Sequence, residues 1–240
     1  MTAPDSTRFI LLNTSHPGNV GAAARAMKVM GFSDLVLVAP RYADVLQHSE
    51  ATSLASGATD VLANARIVDT LAEALDGVTF ACATAMTPRD FGPPTFPPRE
   101  LFTTLAAQNQ RVALVFGSER FGMSNDDVYR CHACVSIPTH PEYGSLNLAQ
   151  AVQLLAYDWR QALGGFEVEP RTAPPAQADA AAVQGLLDHW QQALTAIGFL
   201  DPAAPKKLMP RLNQLFNRAQ LTPEEVHILR GIARAMDRRQ

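Results

Sequence analysis

From residue 112 to residue 123 the chain reads VALVFGSERFGM. The first five of these residues are all apolar, and a glycine follows them directly. An uninterrupted apolar run predicts a strand that is covered on both faces, as in a parallel sheet flanked by helices. Glycines after such a strand let a ligand approach the backbone at the carboxyl end of the strand. We therefore predict an α/β sheet with a binding loop that begins at Gly117.

Strand-like and helix-like segments alternate on both sides of this stretch, through the first 163 residues. Strands are predicted at residues 9–12, 35–38, 67–68, 78–83, 112–116 and 135–137, and helices at 20–30, 52–58, 71–75, 101–107 and 146–163. Five prolines between residues 87 and 98 predict a stiff, non-helical loop. This alternation is typical of an α/β domain with a mainly parallel sheet.

The last third of the chain has a different pattern. Residues 164–179 are rich in glycine and proline, which predicts a linker or a long surface loop. Helices are predicted after it at residues 180–197, 207–219 and 223–237, the last of them starting at the typical helix-initiating run TPEE. The sequence thus predicts an α/β domain (1–163), a linker (164–179) and a helical extension (180–240).

The composition excludes several classes of protein. Hydrophobic residues make up 47% of the chain and charged residues 18%, as in ordinary globular proteins. The apolar runs are too short to span a bilayer, the first residues have no signal-peptide pattern, and three cysteines do not form a disulfide framework. We expect a soluble, cytoplasmic protein with no membrane partner.

The formal charge of −3 is unevenly distributed along the chain. From Lys206 onward, eight basic and three acidic residues give a net charge of +5, which leaves −8 for the first 205 residues. A basic segment attached to an acidic protein is either a solvated helix face or a surface that binds a polyanion.

A first candidate loop, residues 13–25, reads NTSHPGNVGAAAR. It is predicted as a strand end, a turn and a helix start, and the free backbone N–H groups of such a turn suit a phosphate. Arg25 lies among alanines, so its guanidinium has room to reach a ligand and can hold a phosphate through two hydrogen bonds. The alternative is an ordinary surface arginine.

Two further candidate loops follow the strands predicted at 112–116 and 135–137. In the second loop, Glu119 either accepts hydrogen bonds from ligand hydroxyls or organises the loop backbone. The third loop reads IPTHPEYGSLN from residue 137 to residue 147. Ser145 and Asn147 lie at a predicted helix start, where capping is their ordinary role and is compatible with a functional one.

Other chemistry is poorly supported. Cys131 and Cys134 form a CxxC pair with histidines nearby, but zinc usually takes four nitrogen or sulfur ligands and a second pair is missing. We expect no metal. The chain has no P-loop, and the glycines of the first loop do not form the dinucleotide-binding fingerprint.

Taken together, the three loops resemble those of the SpoU branch of the SPOUT superfamily of RNA methyltransferases. The resemblance rests on residues 13–25, 114–122 and 137–147 in this order. The runs TSHPGN (14–19), PEY (141–143) and ILRGI (228–232) extend it to the tRNA ribose methyltransferases of that branch and to the tail of the chain.

The resemblance implies a fold, a cofactor and a homodimer. The fold is a SPOUT-type parallel sheet with a trefoil knot near its C-terminal end, followed here by a small helical extension. The cofactor is S-adenosyl-L-methionine, held in the knotted loops. The positions that the resemblance assigns to cofactor binding are Thr84, Ala85, Met86, Gly117, Ile137, Gly144, Ser145 and Leu146.

The resemblance also implies the reaction, which is 2′-O-methylation of tRNA ribose at cytidine or uridine 32. It assigns the catalytic role to Arg25, and Asn13, Glu119, Ser145 and Asn147 are expected to shape the site. Because guanidinium stays protonated, we expect Arg25 to clamp a phosphate and the 2′-oxygen rather than to remove the proton. Two alternatives stay open: a SpoU enzyme for another tRNA or rRNA site, and an RNA-binding SPOUT protein without activity.

Overall fold

The computed structural model describes residues 6–85, 89–108, 110–169 and 175–237. The chain forms two compact units, one up to Glu167 and one from Val168 onward. Within the described ranges, every helix is too short or too polar to cross a membrane.

The first unit is built on one sheet in which every described strand pairing is parallel. Its strands are β1 (Arg8–Leu12), β2 (Asp34–Val38), β3 (Arg66–Val68), β4 (Phe80–Thr84), β5 (Thr95–Phe96), β6 (Val112–Phe116) and β7 (Ala133–Val135). Their order across the sheet is β3-β2-β1-β6-β4-β7-β5. The predicted α/β class and parallel sheet are confirmed.

Helices cover both faces of this sheet. They are α1 (Pro17–Val29), α2 (Ser49–Ala55), α3 (Thr59–Asn64), α4 (Leu71–Ala74), α5 (Pro98–Ala106), α6 (Asn125–Tyr129) and α7 (Leu148–Ala162). Phe9 and Leu11 of β1 pack into the core on one face, and Ile10 and Leu12 pack into the core on the other. Successive side chains of a strand point to opposite faces, so burial on both faces explains the continuous apolar runs.

Helix α1 is held close to α2 by a glycine. A Cβ at Gly21 would lie only 2.0 Å from the backbone oxygen of Ala51, so no larger residue fits without moving one helix. This contact fixes α1, which carries Arg25, against the neighbouring helix.

Prolines shift two helix starts from their predicted positions. Helix α1 begins at Pro17 rather than at residue 20, and α5 begins at Pro98 rather than at residue 101. Proline suits the first helical position because it lacks an N–H that would need a partner there. The prediction of a non-helical loop over residues 87–98 is partly wrong. Pro98 begins α5, and Thr95–Phe96 form the short strand β5.

The second unit consists of α8 (Ala180–Ala196), α9 (Leu208–Ala219) and α10 (Pro223–Asp237), close to the predicted bounds. Its core includes Leu186 and Phe216, and the Trp190 ring packs edge-on against Phe216 at 5.6 Å between centroids. The predicted start of α10 is confirmed: Thr222 N–H donates to Glu225 Oε2 at 2.8 Å, and Glu225 N–H donates to Thr222 Oγ1 at 3.2 Å.

Candidate active site

A cleft of about 350 Å³ lies at the carboxyl ends of β4, β6 and β7. Seven of the eight predicted cofactor positions line it: Thr84, Ala85, Gly117, Ile137, Gly144, Ser145 and Leu146. The eighth, Met86, lies outside the described residues. The cleft is of the size of small-molecule sites, and its location fits the rule that open α/β sheets bind ligands beyond the carboxyl ends of their strands.

The walls of the cleft combine apolar and polar groups. Ile137, Leu146 and Leu148 give it an apolar wall, while Thr139 and Ser145 bring hydroxyl groups. The Thr84 hydroxyl donates to the backbone oxygen of Val115 at 3.0 Å, which fixes its rotamer. A ligand that combines apolar surface with polar groups matches such a lining.

The second loop closes on itself beside the cleft. Ser118 N–H donates to the Gly122 oxygen at 3.0 Å, and Gly122 N–H donates back to the Ser118 oxygen at 2.9 Å. A Cβ at Gly117 would lie 2.1 Å from the Gly122 carbonyl carbon, so this turn requires glycine at 117. The turn directs Glu119 toward the first loop and leaves Arg120 and Phe121 exposed.

Glu119 holds the first loop through both of its carboxylate oxygens. Oε2 accepts from the backbone N–H and the hydroxyl of Ser15, each at 2.9 Å. Oε1 accepts from the Asn19 amide at 3.0 Å and from the His16 N–H at 3.3 Å. Partial burial raises the pKa of Glu119, but the hydrogen bonds from Asn19 and Ser15 outweigh it, and its pKa falls below the ordinary value. The carboxylate is therefore charged at neutral pH.

This arrangement bears on two predictions from the sequence. Of the two roles predicted for Glu119, the structure contains the loop-organising one. The prediction that the first loop offers free N–H groups to a phosphate is wrong for Ser15 and His16. The protein's own carboxylate binds those N–H groups, since a helix start attracts an anion whether it comes from a ligand or from a side chain.

Asn19 connects all three loops. Its amide donates to Glu119 of the second loop, and its oxygen accepts from the Asn147 amide of the third loop at 2.9 Å. The sequence patterns did not assign Asn19 a role. The sequence contained no signal for it, because the helix was predicted to begin at residue 20 and asparagine is ordinary in the turn before a helix; the structure begins α1 at Pro17 and so places Asn19 inside its first turn.

Asn147 caps α7. Its oxygen accepts from Ala149 N–H at 2.9 Å and from Gln150 N–H at 3.4 Å, and the Gln150 side chain accepts from Asn147 N–H at 3.3 Å. Capping by Asn147 is thus confirmed. Capping by Ser145 is wrong, because Ser145 precedes the cap by two residues and lines the cleft instead.

Arg25 and Asn13 lie apart from the cleft lining. Arg25 is on the exposed face of α1, eight residues after Pro17, which is about 12 Å along the helix axis. Among the described residues it has no hydrogen bond or ion pair. Asn13 follows β1 in a left-handed conformation (φ 49°), and its N–H donates to the Val38 oxygen at 2.9 Å. Neither residue belongs to the cleft of its own chain.

The three cysteines are buried and free. Burial raises the pKa of the Cys131 thiol to about 12, and it raises the pKa of the Cys82 and Cys134 thiols as well. In the described part of the chain, no three His, Cys, Asp or Glu side chains are grouped as a metal site would need.

Comparison with known proteins places this fold and cleft in a family. Residues 6–157, more than half of the chain, match the model of the SpoU rRNA methylase family, and the chain belongs to that family. Residues 181–240 match the model of the C-terminal domain of the tRNA methyltransferase TrmJ. The resemblance found in the sequence is confirmed.

Individual relatives cover nearly the whole chain. The tRNA (cytidine/uridine/adenosine-2′-O-)-methyltransferase TrmJ of Pseudomonas aeruginosa (strain UCBPP-PA14) is 44% identical over 240 residues, which cover 95% of this chain and 92% of the relative. The tRNA (cytidine/uridine-2′-O-)-methyltransferase TrmJ of Klebsiella pneumoniae subsp. pneumoniae is 44% identical and covers 96% of each chain. The crystal structure of TrmJ from Z. mobilis ZM4 superposes with a TM-score of 0.81 at 32% identity and covers 96% of this chain and 99% of that one.

Proposed function

We propose that this protein methylates the ribose 2′-hydroxyl of tRNA, at cytidine or uridine 32 of the anticodon loop. The full-length likeness to TrmJ enzymes supports the reaction and the tRNA substrate. The observation that carries the proposal is the Glu119–Asn19–Asn147 chain of hydrogen bonds, which ties the first loop to the second and third loops that line the cleft. Methyl transfer needs such fixed geometry, since alignment of reacting atoms supplies a large part of the rate. We expect the reaction to take place in the cytoplasm, with which a tRNA substrate is consistent.

We assign the cleft to S-adenosyl-L-methionine. When bound, this cofactor supplies a methyl group activated by a sulfonium. The residues fit it: Ile137 and Leu146 offer apolar surface for an adenine ring, and Ser145 and the backbone at Gly117 and Gly144 offer polar contacts. Met86, which follows the lining residue Ala85 in the chain, belongs to the same proposal. We also propose that the chain is knotted near these loops, as its membership of the SpoU family supports.

Arg25 stabilises the charge that develops on the substrate in this proposal. The 2′-hydroxyl oxygen would receive the methyl group that the bound cofactor supplies, and the hydroxyl proton would leave to a phosphate oxygen or to water. A guanidinium stays protonated throughout, so it stabilises the developing alkoxide and the adjacent phosphate instead of removing the proton. Glu119 and Asn147 position the loops. Ser145 lines the cleft, and Asn13 shapes the first loop at the end of β1.

The exposed position of Arg25 supports a homodimer. Arg25 is not part of the cleft of its own chain, so its proposed role requires a second copy. In a homodimer, Arg25 of the partner subunit lies beside the cleft, and two equivalent sites result.

We also propose that residues 164–179 link the catalytic domain to a helical extension that binds tRNA.

Mass spectrometry of nucleosides tests the proposal. Unmodified tRNA is incubated with the protein and with S-adenosylmethionine carrying a labelled methyl group, and is then digested to nucleosides. Label in 2′-O-methylcytidine or 2′-O-methyluridine supports the proposal, while label on a base contradicts it. A second substrate class, rRNA, is favoured only by the description of the family, and the same assay with rRNA separates the two.

A further inference from the structure

An exposed aromatic ring stands at the mouth of the cleft. Phe121 lines the cleft, and its side chain is 82% exposed. The guanidinium carbon of Arg120 lies 5.5 Å from the centroid of the Phe121 ring. A large apolar ring left in water forgoes the free energy of its burial, so an exposed ring beside a binding cleft suggests an incoming partner surface.

The ring is held by a rigid turn. The two backbone hydrogen bonds between Ser118 and Gly122 close the turn, and Phe121 N–H also donates to Ser118 Oγ at 3.2 Å. Glu119, inside the same turn, is bound to the first loop. The turn is thus fixed at its base and its middle, and it loses little additional conformational freedom when a ligand meets Phe121.

The charges around the ring favour an anionic partner. The first 205 residues carry a net charge of −8, which repels RNA, yet Arg89 and Arg120 both line the cleft. Arg120 lies over one face of the ring, so a flat base stacked on the other face would have a cation nearby for its phosphate. Single-stranded loops of RNA are recognised through unstacked bases of this kind.

We propose that Phe121 is a stacking platform for a nucleobase next to the methylated nucleotide, and that Arg120 pairs with its phosphate. This inference rests on the proposed function, since it assigns a subsite of the same cleft. Such a platform is specific to a single-stranded loop, because the bases of a duplex are already stacked and have no free face.

Three variants test the platform in the full-length protein. Phe121→Ala removes the ring and Phe121→Trp keeps an aromatic face. The control is Phe166→Ala: Phe166 is also exposed beside an arginine, with Arg160 at 5.0 Å, but it packs near Gly31 at the far end of α1 and does not line the cleft. For each variant we measure KM for tRNA, the dissociation constant of S-adenosylmethionine, and the molar mass in solution.

The expected result is specific to RNA. Phe121→Ala raises KM for tRNA about 5- to 100-fold, as expected when a base–aromatic stack is removed, and leaves cofactor affinity and molar mass unchanged. Phe121→Trp keeps a KM near that of the wild type, and tRNA quenches the emission of the added tryptophan, measured as the difference from the wild-type protein. Phe166→Ala behaves as wild type.

Three outcomes would overturn the inference. A loss of cofactor affinity in Phe121→Ala would make the ring part of the cofactor site. A changed molar mass would assign it to an interface between copies of the chain. Normal KM for tRNA in Phe121→Ala, with active wild-type protein, would show that no base stacks there. An inactive wild-type protein would instead contradict the proposed function.

Discussion

The two units differ in how their functional side chains are held. In the first unit, Glu119, Asn19 and Asn147 are tied to each other, and residues of the second and third loops line a cleft. In the second unit, Lys206, Arg211 and Arg218 are exposed on a small three-helix core. Chemistry requires fixed distances, whereas attraction to a phosphate backbone requires only charge close to it. We therefore expect the first unit to supply the reaction and the second unit to supply much of the RNA affinity.

The largest expected effect is in the first unit. Arg25→Ala lowers turnover by at least about 100-fold, because charge stabilisation in the transition state is removed. Cofactor affinity stays near normal, since Arg25 is outside the cleft lining. Steady-state kinetics and calorimetry with S-adenosylmethionine measure the two quantities.

The control for Arg25 is Lys28→Ala. Lys28 is another exposed cation of α1, and it pairs with Asp60 at 2.8 Å. Near-normal turnover in Arg25→Ala would remove Arg25 from the mechanism.

A smaller effect is expected at the carboxylate that joins the loops. Glu119→Gln places an amide among the donors of Ser15 and Asn19, and an unsatisfied buried donor costs about 1–3 kcal/mol. We expect a lower free energy of unfolding at pH 7 and a lower kcat, with Glu119→Asp falling between the two proteins. The exposed Glu142→Gln of the third loop is the matched control.

The pH dependence of stability tests whether the Glu119 carboxylate stabilises the folded protein. The pKa of Glu119 is lower in the folded protein, so its stabilisation is complete above the ordinary value of 4.5 and is lost as the pH falls through the folded pKa. The free energy of unfolding, measured with denaturant between about pH 7 and pH 3, should therefore depend less steeply on pH in Glu119→Gln than in the wild type. Equal slopes would show that the carboxylate is not stabilised by the loop.

The smallest expected effect concerns the thiols, which all lie in the first unit. Cys82, Cys131 and Cys134 are buried and have raised pKa values, so little thiolate is present at pH 8. We expect slow reaction with a disulfide reagent in the folded protein and fast reaction of all three in denaturant. Because the second unit has no cysteine, the labelling rate reports opening of the first unit alone. A thiol that reacts within seconds in native protein contradicts this burial.

The sequence predicts those parts of the molecule that depend on local pattern. The strand Val112–Phe116 is predicted with its bounds because five apolar residues end at a glycine. The start of α10 is predicted because the residues of its cap are adjacent in the chain. The loops of the cleft are found through the resemblance, which supplied their common role.

Other parts depend on contacts between distant residues and could not be predicted locally. The hydrogen bonds of Asn19 join residues about a hundred positions apart or more, and they form only once the sheet order places the loops together. The same holds for the anion at the first loop, where a carboxylate 104 residues away binds the N–H of Ser15. Strand β5 has two residues and contains no pattern of its own.

The claim that the second unit supplies much of the RNA affinity is tested most directly by tRNA binding over a salt series. Full-length protein is compared with protein that ends at residue 167. Filter binding between about 50 and 200 mM salt gives the slope of log affinity against log salt. We expect the shortened protein to bind S-adenosylmethionine normally and tRNA more weakly. Its slope should be shallower by about 0.7–0.9 for each phosphate that the second unit neutralises in the full-length protein. Equal affinity and equal slope in the two proteins would contradict the account.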